Sequence, residues 1–252
     1  MNAATEQAIS KVPEVTLVFW MIKIAATTLG ETGGDAVSMS MDLGYLVATG
    51  IFAVLFAAAV ALQIAIRRFD PYVYWFAIIT TTTVGTTLAD YATRSLGIGY
   101  FGGSALLLGL LAASLLVWYR VTGTLSVESV NTPRSEMFYW ATIMLSQTLG
   151  TALGDWSADT AGLGYLGAAA VFGALLMVVA GAYFWTRISH TVLFWAAFVL
   201  TRPLGAVVGD FLDKPVAAGG LALSRYSASA ALLAFIVACI LLFKQRPASA
   251  SH

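Results

Sequence analysis

A tryptophan, a glycine ten residues on and an aspartate five after that recur four times without a gap: Trp20, Gly30, Asp35; Trp75, Gly85, Asp90; Trp140, Gly150, Asp155; Trp195, Gly205, Asp210. Three copies add a tyrosine ten residues later, Tyr45, Tyr100 and Tyr165, and Gly220 stands there in the fourth. Spacing this regular means four copies of one structural unit. Whatever the fold, it must place four carboxylates at equivalent depths.

Those depths are apolar. The 252 residues are 59% hydrophobic and 10% charged, too few charges to cover a water-facing surface. A mean hydropathy of +0.83 points to an integral membrane protein whose partner is the lipid bilayer. Crossing the roughly 30 Å hydrocarbon core takes about twenty apolar residues. Residues 46–66, 101–118, 166–185 and 228–243 supply such runs as the second helix of each unit. The first helices, carrying Trp, Gly and Asp, span roughly 15–36, 71–91, 136–156 and 191–211. The expectation is an all-α membrane protein of eight transmembrane helices, four parallel helical-hairpin repeats around a pseudo-symmetry axis.

Basic residues are retained on the cytoplasmic side. The termini and the connections between units carry Lys11, Arg67, Arg68, Arg120, Arg134, Arg187, Lys244 and Arg246; the loops within units carry Arg94, Lys214 and Arg225. Both termini are therefore expected in the cytoplasm. Each Asp then lies toward the outer end of its helix, about 22 Å of rise beyond its Trp. Residues 1–14 have neither the basic start nor the cleavage site of a signal peptide, so the first helix is expected to be retained.

Successive units are offset by 55, 65 and 55 residues, the extra ten falling in 121–136, around Thr132-Pro133. This reads as a duplicated two-unit half: 1–120, a cytoplasmic linker 121–136, and 137–247, within one membrane domain. Every unit holds two spans, so the repeats are parallel rather than inverted. Gly30, Gly33, Gly34, Gly85, Gly150, Gly154, Gly205 and Gly209 let the first helices approach closely.

Composition also excludes. Zero formal charge gives no case for a nucleic-acid partner. A single cysteine, Cys239, and two histidines, one of them His252, leave zinc, haem and disulfide chemistry poorly supplied, and no cofactor is expected. No phosphate-binding loop is present, so the chain holds no ATP-driven pump.

Polar groups crowd the first helices: Thr27, Thr28, Glu31 and Asp35; Thr80 to Thr83, Thr86, Thr87 and Asp90; Ser146, Gln147, Thr148, Thr151 and Asp155; Thr201, Arg202 and Asp210. Residues 27, 31 and 35 line one helix face. A polar stripe facing lipid is heavily penalised, so it should face a cavity or the other units. The aspartates sit near helix C-termini, where free carbonyls already concentrate negative potential. That favours a cation: a hard divalent ion, which takes carboxylate and hydroxyl oxygens, or protons held by crowded carboxylates. The bland alternative is an Asx turn copied four times. Glu31 has no such excuse, since its equivalents are Thr86, Thr151 and Ala206.

Lys23, three residues past Trp20, is expected to snorkel to the cytoplasmic interface. Arg202 is deeper and needs a carboxylate such as Glu31 or Asp210. Pro203 frees the carbonyl of Val199, so the fourth unit is the odd one. Asp42, Asp159, Asp213 and Lys214 read as solvated loop residues.

Lys11-Val-Pro-Glu-Val-Thr16, Thr27-Thr-Leu-Gly-Glu-Thr32, Phe138-Tyr-Trp-Ala141, Thr148-Leu-Gly-Thr-Ala-Leu-Gly-Asp155 and Thr201-Arg-Pro-Leu-Gly205 with Gly209-Asp210 resemble bacterial proteins catalogued as uncharacterised membrane-anchored repeat proteins. That resemblance covers nearly the whole chain and implies a bacterial inner-membrane protein. A weaker likeness is to the Golgi and chloroplast manganese/calcium–proton transport family, with its Glu-x-Gly-Asp. Here Glu31-Thr-Gly-Gly-Asp35 has one residue too many, so the analogy is of chemistry alone.

The functional expectation is a secondary transporter or exporter of a small cation, a divalent metal such as manganese, coupled to protons. Glu31, Asp35, Asp90, Asp155 and Asp210 would bind it; Lys23, Thr27, Thr28, Thr83, Thr86, Gln147, Thr148 and Arg202 would support or couple. A non-transporting scaffold or partner subunit is the alternative, and a homo-oligomer stays open. An intramembrane aspartyl protease needs Gly-x-Gly-Asp, but Thr32, Thr87, Ala152 and Val207 stand three residues before the aspartates, so the chain is not expected to be an enzyme.

Overall fold

A computed structural model describes residues 10–66 and 68–248; Arg67, His252 and residues 1–9 of the polar N-terminal segment lie outside the described residues. Eight long helices follow in order: α1 (Leu17–Asp35), α2 (Gly44–Ala65), α3 (Pro71–Asp90), α4 (Tyr100–Thr122), α5 (Pro133–Asp155), α6 (Gly164–Trp185), α7 (His190–Asp213) and α8 (Arg225–Leu242). Local chemistry explains their starts. Thr16 caps α1, Asp70 accepts from the amides of Tyr72 and Val73 ahead of Pro71, and Thr132 with Ser135 forms a capping box around Pro133. That box starts α5 inside the segment expected to be linker, and α4 runs on to Thr122.

The odd-numbered helices form a closed inner ring in which α1 packs on α3, α3 on α5, α5 on α7 and α7 back on α1. The even-numbered helices lie outside, and each covers the inner helix of the following repeat. Thus α2 lies on α3, α4 on α5, α6 on α7, and α8 returns to α1. The packing hairpin is therefore shifted by one helix from the sequence repeat. An outer helix leans on the next unit rather than on the helix that precedes it. Thr32 of α1 and Ser229 of α8, hydroxyls 2.8 Å apart, mark where the ring closes.

Glycines set the spacing of the inner ring, in strict rotation. A methyl group on Gly30 would collide with Thr82, one on Gly85 with Gln147, one on Gly150 with Arg202 and Pro203, and one on Gly205 with Thr27. Each obstructing residue sits three positions before the next unit's own glycine. One turn on, Gly34 meets Thr86, Gly154 meets Ala206 and Gly209 meets Glu31, while Ala89 holds the matching place in α3. This is the small-xxx-small arrangement of close-packed membrane helices, repeated around a ring.

Polarity is arranged inside out. The outer helices expose Leu46, Val54, Phe101, Leu108, Leu166, Met177, Val178 and Leu241. α1, α3, α5 and α7 bury nearly all their threonines and carboxylates. Five helices, α2, α4, α6, α7 and α8, are long and apolar enough to cross a membrane, which makes this a multi-pass membrane protein.

The end bearing both termini is tied together. Pro13 pairs with Pro247, the amide of Lys11 donates to Val130, and Ser10 donates to the carbonyl of Val127. Lys11 Nζ reaches Glu136 at 2.6 Å and the carbonyls of Gln63 and Ile64. At the opposite end, three inner helices widen by a π-helical turn directly after the repeated aspartate, over Ala36–Ser40, Tyr91–Ser95 and Trp156–Thr160. A tight bend follows with left-handed residues at Asp42 and Gly44, Gly97 and Gly99, and Gly162 and Gly164. The fourth copy instead extends α7 to Asp213 and turns through Pro215.

Candidate functional site

Each inner helix buries one residue in every four along a stripe centred on the ring. The stripes read Phe19, Lys23, Thr27, Glu31, Asp35; Tyr74, Ile78, Thr82, Thr86, Asp90; Tyr139, Ile143, Gln147, Thr151, Asp155; and Phe194, Phe198, Arg202, Ala206, Asp210. They stack as five layers from the termini end to the hairpin-loop end.

Aromatic rings close the first layer. Phe19 packs on Trp75, Tyr74 on Trp140, Tyr139 on Trp195, and Phe194 on Trp20, in the same rotation as the glycines. The Tyr74 and Tyr139 hydroxyls share a 2.6 Å hydrogen bond. The repeated tryptophan is thus the outer partner of its neighbour's axial ring.

Arg202 plugs the fourth layer. Its side chain leaves α7 three positions before Gly205 and rises to the level where its own helix has only Ala206. There Nη2 meets Glu31 Oε2 at 3.0 Å and also donates to Thr86 and Thr151. Those three residues are the equivalents of Ala206, so one guanidinium binds every polar group of the layer. Thr86 donates in turn to Glu31 Oε2 at 3.2 Å. Burying an arginine costs several kcal/mol unless it is paired and hydrogen-bonded, and here it is both.

The repeated aspartates form the last layer, in two pairs. Lys214 Nζ lies 2.5 Å from Asp35 Oδ2 and 3.0 Å from Asp210 Oδ1. Arg94 Nε lies 2.9 Å from Asp90 Oδ1, and its Nη2 lies 3.5 Å from Asp155 Oδ2. Each base sits four residues after the aspartate of its own helix and reaches across to the next repeat. Met39 and Asp159 hold that place in units one and three, so the bases follow the two-fold of the duplicated halves. Arg225 adds a 2.8 Å pair with Asp213 and approaches Asp35 at 3.8 Å. None of the turns after Asp35, Asp90 and Asp155 is capped by the carboxylate. The buried Oδ1 atoms of Asp35 and Asp155 accept no hydrogen bond from any described residue.

Glu31, Asp35 and Asp210 can present three carboxylate oxygens within 4.8 Å of one another. Of the five carboxylates singled out by the sequence, those three come together, while Asp90 and Asp155 belong to the Arg94 pair. Among the supporting residues, Thr86 and Arg202 reach Glu31. Thr27 bonds the carbonyls of Ile24 and Thr201. Thr28, Thr83 and Thr148 turn back to carbonyls four residues earlier on their own helices. Pro203 occupies the equivalent place in α7. A back-bonded threonine and a proline both loosen the same i−4 carbonyl, so the fourth unit varies a device the others share.

Two expectations are overturned. Lys23 does not snorkel: it is fully buried, its Nζ 4.0 Å from the centre of the Phe198 ring. Snorkelling needs a lipid-facing stem, and Lys23 projects into the ring interior. Asp213 and Lys214 are not solvated loop residues either, because the extension of α7 carries them onto the aspartate layer. Lys214 and Arg94 were the site residues missed, although their signal was present: a base four residues beyond a repeated aspartate.

The four copies match the family model described as Repeat of Unknown Function (DUF347), over residues 18–69, 73–124, 138–189 and 193–246. Comparison with curated proteins gives no match, and comparison with solved structures gives none. The matched segments begin at the same 55-, 65- and 55-residue offsets as the motif and together take in most of the chain, which therefore belongs to the DUF347 family as four tandem copies of its repeat.

Proposed function

We propose that the protein is a secondary transporter of a small cation, a divalent metal ion such as manganese, exchanged for protons at Glu31, Asp35 and Asp210. The observation that carries this is the convergence of those buried carboxylates within 4.8 Å of one another, two of them held by one lysine side chain. Hard divalent ions take this oxygen set. Lys214 is then a tethered cation holding the substrate's place, and binding requires that it swing away or that the carboxylates exchange protons. The unbonded Oδ1 of Asp35 is a ready first ligand. Arg94 would act likewise between Asp90 and Asp155.

In this reading all eight helices span a bacterial inner membrane with both termini in the cytoplasm, because the outer helices shield α1, α3 and α5 from lipid. The aromatic layer is the cytoplasmic closure, and the protein is not an enzyme. A non-transporting scaffold or partner subunit is the second reading, favoured by the internal ion pairing of Arg202 with Glu31 and of Lys214 with two aspartates.

The test is thermal stability of the purified protein against Mn²⁺, Mg²⁺, Ca²⁺ and Zn²⁺, since a ligand that binds only the native state must raise it. One ion is expected to give a saturable rise that Asp35→Asn and Asp210→Asn abolish, and to enter proteoliposomes with proton counterflow. A scaffold would show no saturable response to any of the four ions and no uptake.

A further inference from the structure

Between the aromatic layer and the Arg202–Glu31 layer, the axis changes sign. The second layer holds Lys23, Ile78, Ile143 and Phe198; the third holds Thr27, Thr82, Gln147 and Arg202. Neither contains a carboxylate. Lys23 Nζ, Thr82 Oγ1, both amide atoms of Gln147 and Arg202 Nε are buried and have no hydrogen-bond partner among the described residues. Lys23 is wholly inaccessible, and the charge close enough to act on it is that of Arg202, another cation. Lys23 Nζ has only the face of the Phe198 ring, and a buried amine and a buried carboxamide both lacking hydrogen-bond partners is an arrangement proteins avoid.

The unmet groups are nearly all donors. Four of them, an ammonium, a guanidinium N–H, an amide NH₂ and a hydroxyl, face two adjacent levels of one narrow stripe. A buried cluster in which donors outnumber acceptors calls for an anion. Arg202 is already paired with Glu31, whereas Lys23 has no carboxylate in its own layer or the next. Size follows from the packing at the same level, where Gly30, Gly85, Gly150 and Gly205 bring neighbouring helices to backbone contact. We propose that Lys23, Thr82, Gln147 and the Nε of Arg202 form a binding site for one small monovalent anion, of chloride or formate size, at mid-membrane. It shares Arg202 with the carboxylate cluster, using Nε where Glu31 takes Nη2, and does not depend on the cation reading.

The experiment uses purified full-length protein in detergent, at fixed sodium concentration with divalent cations chelated, so that cation binding can neither produce nor hide the signal. Gluconate, too large for the site, is replaced stepwise by chloride, and in a second series by formate. The expected result is a saturable upward shift of the melting temperature of about 4 °C, which corresponds to a ligand bound well above its dissociation constant. Lys23→Met should abolish the shift while melting in gluconate no lower than the parent, since it removes a buried group without a hydrogen-bond partner. Gln147→Leu should weaken the apparent affinity about tenfold. If Lys23→Met does not purify, Lys23→Gln serves, with the shift again lost. A melting temperature indifferent to the anion, or a Lys23 variant that keeps the parent's titration curve, overturns the proposal.

Discussion

Arg202 shows how one side chain can stand for a missing quarter of a symmetric layer. Ala206 contributes nothing polar where Glu31, Thr86 and Thr151 meet, and the guanidinium from one turn below fills the gap. Removing it strands a buried carboxylate, so Arg202→Met is expected to lower unfolding free energy by about 3–5 kcal/mol. Adding Glu31→Gln should recover a large part of that loss, because the two changes share one interaction. Denaturation of the single and double variants in detergent checks this; strictly additive losses would mean that the pair is not coupled. Glu31 was legible as special because its equivalents differ. Lys23 was misread because position relative to Trp20 tells depth along a helix and says nothing of which way the side chain faces.

At the level of helices, the repeat written in the sequence and the unit that packs are out of step. The motif marks Trp-Gly-Asp helices and the apolar runs after them, and those boundaries agree with α1 to α8 within a few residues, the widest differences falling where α4 and α5 run into the expected linker. The partner of each outer helix could not be read, since an apolar run carries no sign of which neighbour it covers. The arrangement predicts that Thr32→Cys with Ser229→Cys, in a Cys239→Ser background, forms an intramolecular disulfide between α1 and α8 under mild oxidation. A shifted, reductant-sensitive gel band would report it. Absence of crosslinking would argue that the first and last helices do not meet.

For the molecule as a whole, the duplicated halves are joined by more than the segment after α4. α4 seats on α5, α8 on α1, and the N-terminal strap lies across Val127 and Val130 with Lys11 on Glu136. The two bases on the aspartate layer, Arg94 and Lys214, repeat with that same two-fold. A chain cut between Gly123 and Thr124 and expressed as two pieces should therefore reassemble and co-purify through a tag on one half. Alanine at Lys11 should lower the yield of the pair several-fold, because Glu136 then loses its buried partner. Halves that never associate would show that the covalent linker, rather than these interfaces, joins them.

The overlap of each outer helix onto the succeeding unit also orders events during synthesis. α1, with its lysine, glutamate and aspartate, is made well before its cover, α8, with all the other helices of the ring between them. Until α8 is made, the face of α1 that it covers must wait beside the insertion machinery unsheathed. Truncated products, lacking that shingle, would turn the Thr32 and Gly33 face of α1 to the bilayer without its hydroxyl partner.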